Sequence, residues 1–300
     1  MMLLAATAAC NDARPQTSFS GEAALAHVRT QLDFGPRIPG SEGHRRTGDW
    51  IVERMRAATD TVIEQRWEHV AANGQRLPMR NIFARIRPDA RERILYVAHW
   101  DTRPFADESP NFGDRQKPVP GANDGASGVA LLVALAEALR AAPPTFGVDF
   151  LFVDGEDYGN FSLDQDVLIG SKYFADHLPS PGYAPLFGIV WDMIGDAELN
   201  IKQEGYSVQN APEVVARVWQ TAEDLGFRKY FISQNAGLIT DDHVPLQKKG
   251  LRVIDVIDID YIEQSGPRNY HHTTQDTIDK VSAKSLQIVG DLAMTLVGSK

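Results

Sequence analysis

The sequence predicts an α/β fold: a three-layer α/β/α sandwich with a mixed, mostly parallel central sheet. Three observations carry this. Ile94–Ala98 and Val148–Val153 are short and almost wholly apolar, as strands covered on both faces are. Between them, Gly128–Ala142 is apolar nearly all round and long enough for a buried helix. Leu186–Trp191 and Arg252–Ile257 read as further central strands, and Pro212–Leu225 and Ser282–Val297 as helices that cover the sheet. Strands alternating with helices in this way imply a parallel sheet with a helical layer on each face.

Ahead of this core, the pattern from Gly21 to about Ala58 is helical. It is interrupted at Gly35-Pro36-Arg37-Ile38-Pro39-Gly40, where prolines and glycines force an irregular turn. Thr61–Val70 and Met79–Arg87 alternate apolar and polar residues, which predicts half-buried antiparallel strands. A chain of 300 residues, 43% of them hydrophobic, suits one large domain over residues 21–300, with no linker or internal repeat dividing it.

Residues 1–20 read differently. A short apolar stretch ends in small residues just before Cys10, like the tail of a bacterial lipoprotein signal peptide, although the charged n-region is missing. This predicts an exported protein of the periplasm or cell envelope, with a polar tether over residues 11–20. The membrane would then be a partner only through a lipid anchor at Cys10. As the only cysteine, Cys10 also rules out an internal disulfide. A net charge of −10 argues against nucleic acid or an anionic membrane surface as partner.

Acidic and imidazole side chains stand at the ends of the apolar runs, where open α/β sheets place their active sites. The strand at Ile94–Ala98 runs into His99 and Asp101. Residues two apart on a strand share a side, so Asp101 is placed to accept a hydrogen bond from one imidazole nitrogen and leave the other for a metal. A surface turn is the plainer reading of that motif alone. Asp124 sits in the glycine-rich turn Gly121–Gly128, which lacks the lysine and spacing of a phosphate loop, and it reads as an inward-aimed ligand or as a helix cap.

Val153 is followed by Asp154-Gly155-Glu156-Asp157, carboxylates that need a positive neighbour unless the loop is solvated. If Asp157 binds a cation, Glu156 lies beside it as a proton shuttle. Asp192 ends another buried strand. Asp241-Asp242-His243 opens a helical turn, as caps or as site residues, and His271-His272 lie on a loop before the last helix. With no cysteine near, this donor set suits Zn²⁺. His27, His44, His69 and His177 fall outside these segments and read as structural or surface residues.

In order and wording, these segments, together with Pro36-Arg37-Ile38-Pro39-Gly40-Ser41, resemble the M28 family of zinc-dependent peptidases over residues 24–298. The resemblance implies a peptide substrate with a free N-terminus and one of two chemistries. In the di-zinc aminopeptidase branch, His99, Asp124, Asp157, Asp192 and His272 would be ligands, Asp124 would bridge, and Glu156 would activate water. In the glutaminyl cyclase branch a single zinc would sit on Asp124, Asp157 and His272. Glu156 would then move a proton within an acidic network that includes Asp192 and Asp241.

Ile239–Leu246 resembles the cyclase stretch carrying that network, and Asp154–Asp157 followed by Gly170-Ser171 also fits, so the resemblance favours the cyclase branch. Two residues depart from it. Asp157 stands where animal cyclases have Glu, and His271 stands where cyclases present a Trp to the substrate. A non-catalytic relative would be expected to have lost a ligand or the base, and here every position is filled.

Overall fold

The computed structural model describes residues 17–259, 261 and 269–298; Cys10 and the segment around it lie outside them. In chain order the elements are α1 (Gly21–Asp33), α2 (Glu42–Ala58), β1 (Thr61–Val70), β2 (Arg76–Ile86), β3 (Arg93–His99), α3 (Ala126–Ala141), β4 (Gly147–Val153), α4 (Ile169–Asp176), β5 (Phe187–Asp192), β6 (Ile201–Gln203), α5 (Gly205–Asn210), α6 (Pro212–Asp224), β7 (Phe231–Asn235), α7 (His243–Lys248), β8 (Val253–Ile257) and α8 (Ala283–Gly298). The main sheet runs β1-β2-β4-β3-β5-β8. β1, β2 and β4 pair antiparallel, whereas β4, β3, β5 and β8 are parallel. The mixed, mostly parallel sandwich expected from the sequence is the fold observed.

The sheet has a helical layer on each face because successive side chains of its central strands point opposite ways. Ile94, Tyr96 and Ala98 of β3 join the core that α1, α3 and α8 cover. Leu95 and Val97 face a second core with Phe174 of α4 and Leu246 of α7. α3 packs so closely that a Cβ on Gly128 would stand 2.2 Å from the Trp191 carbonyl oxygen, so only glycine fits there.

Three local expectations need correction. β2 starts at Arg76 rather than Met79, because Pro78 has β1 on one side only and the β1–β2 pairing runs on through it to Val70↔Arg76. Its residues 79–84 are all buried rather than alternating. The polar ones have partners: the Arg80 amide donates to Asp154, its guanidinium pairs with Asp49 and Glu64, and Asn81 donates to the Gly170 carbonyl. Finally, residues 17–20 are no tether. Phe19 is buried against Gly290 of α8, Thr17 bonds Asp291, and Ser20 caps α1 through the Ala23 amide.

α4 and the small parallel sheet of β6 and β7 were not legible in the sequence. α4 has eight residues, and β6 has three; neither is long enough to show a period.

Candidate active site

The C-terminal ends of β3, β4 and β5 and the loops after them meet at one cavity of about 370 Å³. Asp124, Glu156, Asp192, Asp241, His271 and His272 line it. The loops at 102–120 and 159–169 rim it, through Arg103, Glu108 and Asn160 among others.

Two triads share Asp124. His99, Asp124 and Asp192 form one, Asp124, Asp157 and His272 the other, and within each a donor atom of every residue lies within 4.8 Å of the rest. Oδ1 of Asp124 is 3.1 Å from His99 Nε2, and its Oδ2 is 3.6 Å from His272 Nε2. Asp192 Oδ1 is 3.2 Å from His99 Nε2, and Asp157 Oδ1 is 3.2 Å from His272 Nε2.

The two triads are satisfied differently. Nε2 of His99 is taken by the protein whichever tautomer it adopts: it accepts from the Gly125 amide at 3.2 Å or donates to Asp192 at 3.2 Å. Gly125 allows this approach, since a Cβ there would stand 2.9 Å from that nitrogen. Asp157 Oδ2, by contrast, is buried with no hydrogen-bond partner among the described residues. An orphaned carboxylate oxygen beside an imidazole and a second carboxylate is a donor set that fits zinc.

The sequence alternatives resolve here. Asp124 is not a helix cap: Gly125 holds that position with no side-chain cap. Asp242 stands at the N-cap of α7 and makes no capping bond either. Asp101 is buried beside His99 but serves mainly the next strand's loop, accepting the amides of Glu156 at 3.0 Å and Asp157 at 3.2 Å. Its Oδ1 is 3.5 Å from His99 Nδ1, a weaker contact than expected, because Asp101 lies beyond the end of β3. Asp154 turns away from the site and binds His44, which stacks on Trp100, so His44 is structural as read. Asp241 reaches Glu156 through its charge, without a direct hydrogen bond between them among the described residues. His271 stacks on His272 and contacts Glu108 at 3.1 Å.

Burial and crowding among like charges set the protonation of the site. Burial, with the charges of Asp157, Asp241 and Asp242, pushes Glu156 well above the usual carboxylate range. Burial likewise pushes Asp192 up to about 7, with Asp241 and Asp124 adding to it against the pull of His99. Burial pulls His272 down, but Asp157, Glu108 and Asp124 outweigh it and hold the imidazole up at about 10.

Several supporting residues were missed in the sequence. Arg103 donates to Asp157 Oδ1 at 2.9 Å while binding Asp107 with its other nitrogens. Asp276 accepts the amides of Asn123 and Asp124, and buried Arg37 donates to the carbonyls of Pro120 and Gly121. Together they hold the turn that aims Asp124. Arg37 stood inside a motif already singled out, and Asp276 lies four residues beyond His272; a charge so near a site was the signal for each. Glu108 lies in a loop with no such mark.

A model of peptidase family M28 matches residues 81–297. The chain belongs to that family. The glutaminyl cyclase of Porphyromonas gingivalis is similar to it with a TM-score of 0.89 and 38% identity, over 93% of this chain and 98% of that one. A zinc-dependent exopeptidase from Parabacteroides distasonis is similar with a TM-score of 0.89 and 32% identity, over 94% of this chain and 99% of that one. Aminopeptidase YwaD of Bacillus subtilis is 27% identical over 68% of the chain, which spans 40% of that relative's length. The chain is therefore a zinc-dependent enzyme whose relatives include both cyclases and exopeptidases.

Proposed function

We propose that the protein is a glutaminyl-peptide cyclotransferase, converting an N-terminal Gln of a peptide to pyroglutamate with loss of ammonia. The observation that carries this reading is the unequal state of the two triads. Asp124, Asp157 and His272 keep an orphaned oxygen for one zinc, whereas Nε2 of His99, the nitrogen that faces Asp124 and Asp192, is already engaged by Gly125 and Asp192. The likeness to a glutaminyl cyclase over nearly the whole chain, at 38% identity, supports it.

Zinc bound there would act as a Lewis acid on the side-chain amide carbonyl of the Gln. The chain's own residues do the rest. Acidic Asp192, Asp241 and Glu156 line the cavity and favour a substrate entering with a positively charged α-amine. Glu156 first takes a proton from the α-ammonium, which frees the amine to attack the amide carbon and form the new C–N bond. The proton then shed by the attacking nitrogen passes through Glu156 to the amide nitrogen, the old C–N bond breaks to expel ammonia, and the remaining proton leaves with it as ammonium. A group that must both accept and donate works best with a pKa near the working pH, the direction in which burial moves Glu156. An attacking amine on the same molecule gains a proximity that a free nucleophile lacks.

A second reading, a di-zinc aminopeptidase, is favoured by the bridging position of Asp124, whose two oxygens face different triads. The two readings share Glu156 and separate by substrate. A cyclase consumes Gln-initiated peptides and leaves Leu-initiated and N-acetylated ones intact; release of free Leu would establish the second reading instead. Export and lipidation at Cys10 remain part of the proposal, and membrane partition of the full-length protein, lost in Cys10→Ser, tests them.

A further inference from the structure

A second group of metal-binding side chains lies behind the cavity wall, on elements the proposed reaction uses only through Asp241. His243 is the first residue of α7, Asp255 sits mid-strand in β8, and Glu204 caps α5. All three are buried, as is Asp241. We propose that Asp241, His243 and Asp255 form a buried site for a divalent cation of zinc's class, shaped by Glu204 and separate from both triads.

Donor atoms of the three residues lie within 4.8 Å of one another. Asp241 Oδ2, both oxygens of Asp255 and both ring nitrogens of His243 have no hydrogen-bond partner among the described residues. Nor does a Lys or Arg pair with either carboxylate among the described residues, so a bound cation, shared protons or a protonated His243 must offset their burial.

The arrangement of His243 favours a cation. Glu204 is fixed by the amides of Tyr206 at 2.7 Å and Ile239 at 3.0 Å on one oxygen, and by the amide and hydroxyl of Ser207 at 2.6 and 2.7 Å on the other. That second oxygen lies 3.1 Å from His243 Nε2. A proton placed on Nε2 would face this carboxylate and leave the Nδ1 lone pair bare. Nδ1 faces Asp255, 3.9 Å from Oδ2. His272 repeats the plan with its nitrogens exchanged: Nε2 faces Asp157 and Asp124, and Nδ1 lies 3.5 Å from Glu108. Asp241 also lines the active-site cavity, which gives an ion its way in.

This site does not depend on whether the enzyme is a cyclase or an aminopeptidase. A count of two zinc ions would not tell it from a di-zinc triad, so location is the readout. The test is an anomalous difference map, above and below the zinc edge, from crystals of the full chain grown with a small molar excess of zinc. The expected result is one peak at Asp124, Asp157 and His272 and another among Asp241, His243 and Asp255. A catalytic peak with none at the buried group overturns this proposal and leaves the cyclase reading intact. A second peak between His99 and Asp192, with none at the buried group, overturns both.

In solution, Asp255→Asn should lose one equivalent of zinc and His272→Ala the other. Glu204→Gln should weaken the buried ion's binding by about 10–100-fold. Wild-type zinc content in Asp255→Asn would contradict the assignment, and the wild-type map decides the matter even if that variant fails to fold.

Discussion

The two triads around Asp124 have nearly the same composition, an imidazole and two carboxylates, yet they differ in what the surrounding chain has done with them. His99 sits at the end of β3 with its Nε2 against the Gly125 amide and Asp192, closed by protein partners. Asp157 and His272 are loop residues, and there an oxygen is left without a partner while Arg103 holds its twin. Identical residue types thus differ in which donor atom is left over: an oxygen of Asp157 in one triad, Nδ1 of His99 in the other. Residue identity names the candidates, and the neighbours' amides decide among them.

The difference can be broken most completely at His272. His272→Ala should remove the catalytic zinc and bring turnover to background, measured by elemental analysis and peptide assay. Turnover near the wild-type rate would mean that the wrong triad holds the metal. Glu156→Gln comes next: turnover should drop about 10³-fold, within the range for loss of a general acid–base group, with zinc content unchanged. A variant as active as the wild type would leave both amide mechanisms without their base.

His99→Gln separates the readings. In the one-metal account it keeps the wild-type zinc content and loses about tenfold in turnover, the equivalent of about 1.4 kcal/mol. Loss of a zinc equivalent with most of the activity would show that the closed triad opens for a second ion. At Arg103 the effect is expected on zinc affinity rather than on turnover. Arg103→Met should weaken zinc binding by about 10–100-fold, read by competition with a chelator, because it frees the short Asp157 arm to move. Unchanged affinity would make Arg103 a loop clamp alone.

Much of this was legible beforehand. The apolar runs located β3, β4, β5 and β8, since strands covered on both faces have no polar side to hide, and Asp124, Glu156, Asp192 and His272 followed from standing at or near the ends of such segments. Residues whose role depends on contacts across the chain were not legible. Asp101 supports the loop after β4 through backbone amides, and Arg103 reaches Asp157 from another segment. Asp255 hid inside a strand pattern, where an acid reads as an interruption. Phe19 reads as tether from the sequence because its partner, Gly290, is at the other end of the chain.

The most direct test of the central claim is mass spectrometry of a Gln-initiated peptide incubated with the zinc-loaded enzyme. The cyclase account predicts a loss of ~17 Da, the mass of the ammonia expelled when the amine displaces the amide nitrogen, with no free amino acid released. Free glutamine and a peptide shortened by one residue would contradict it.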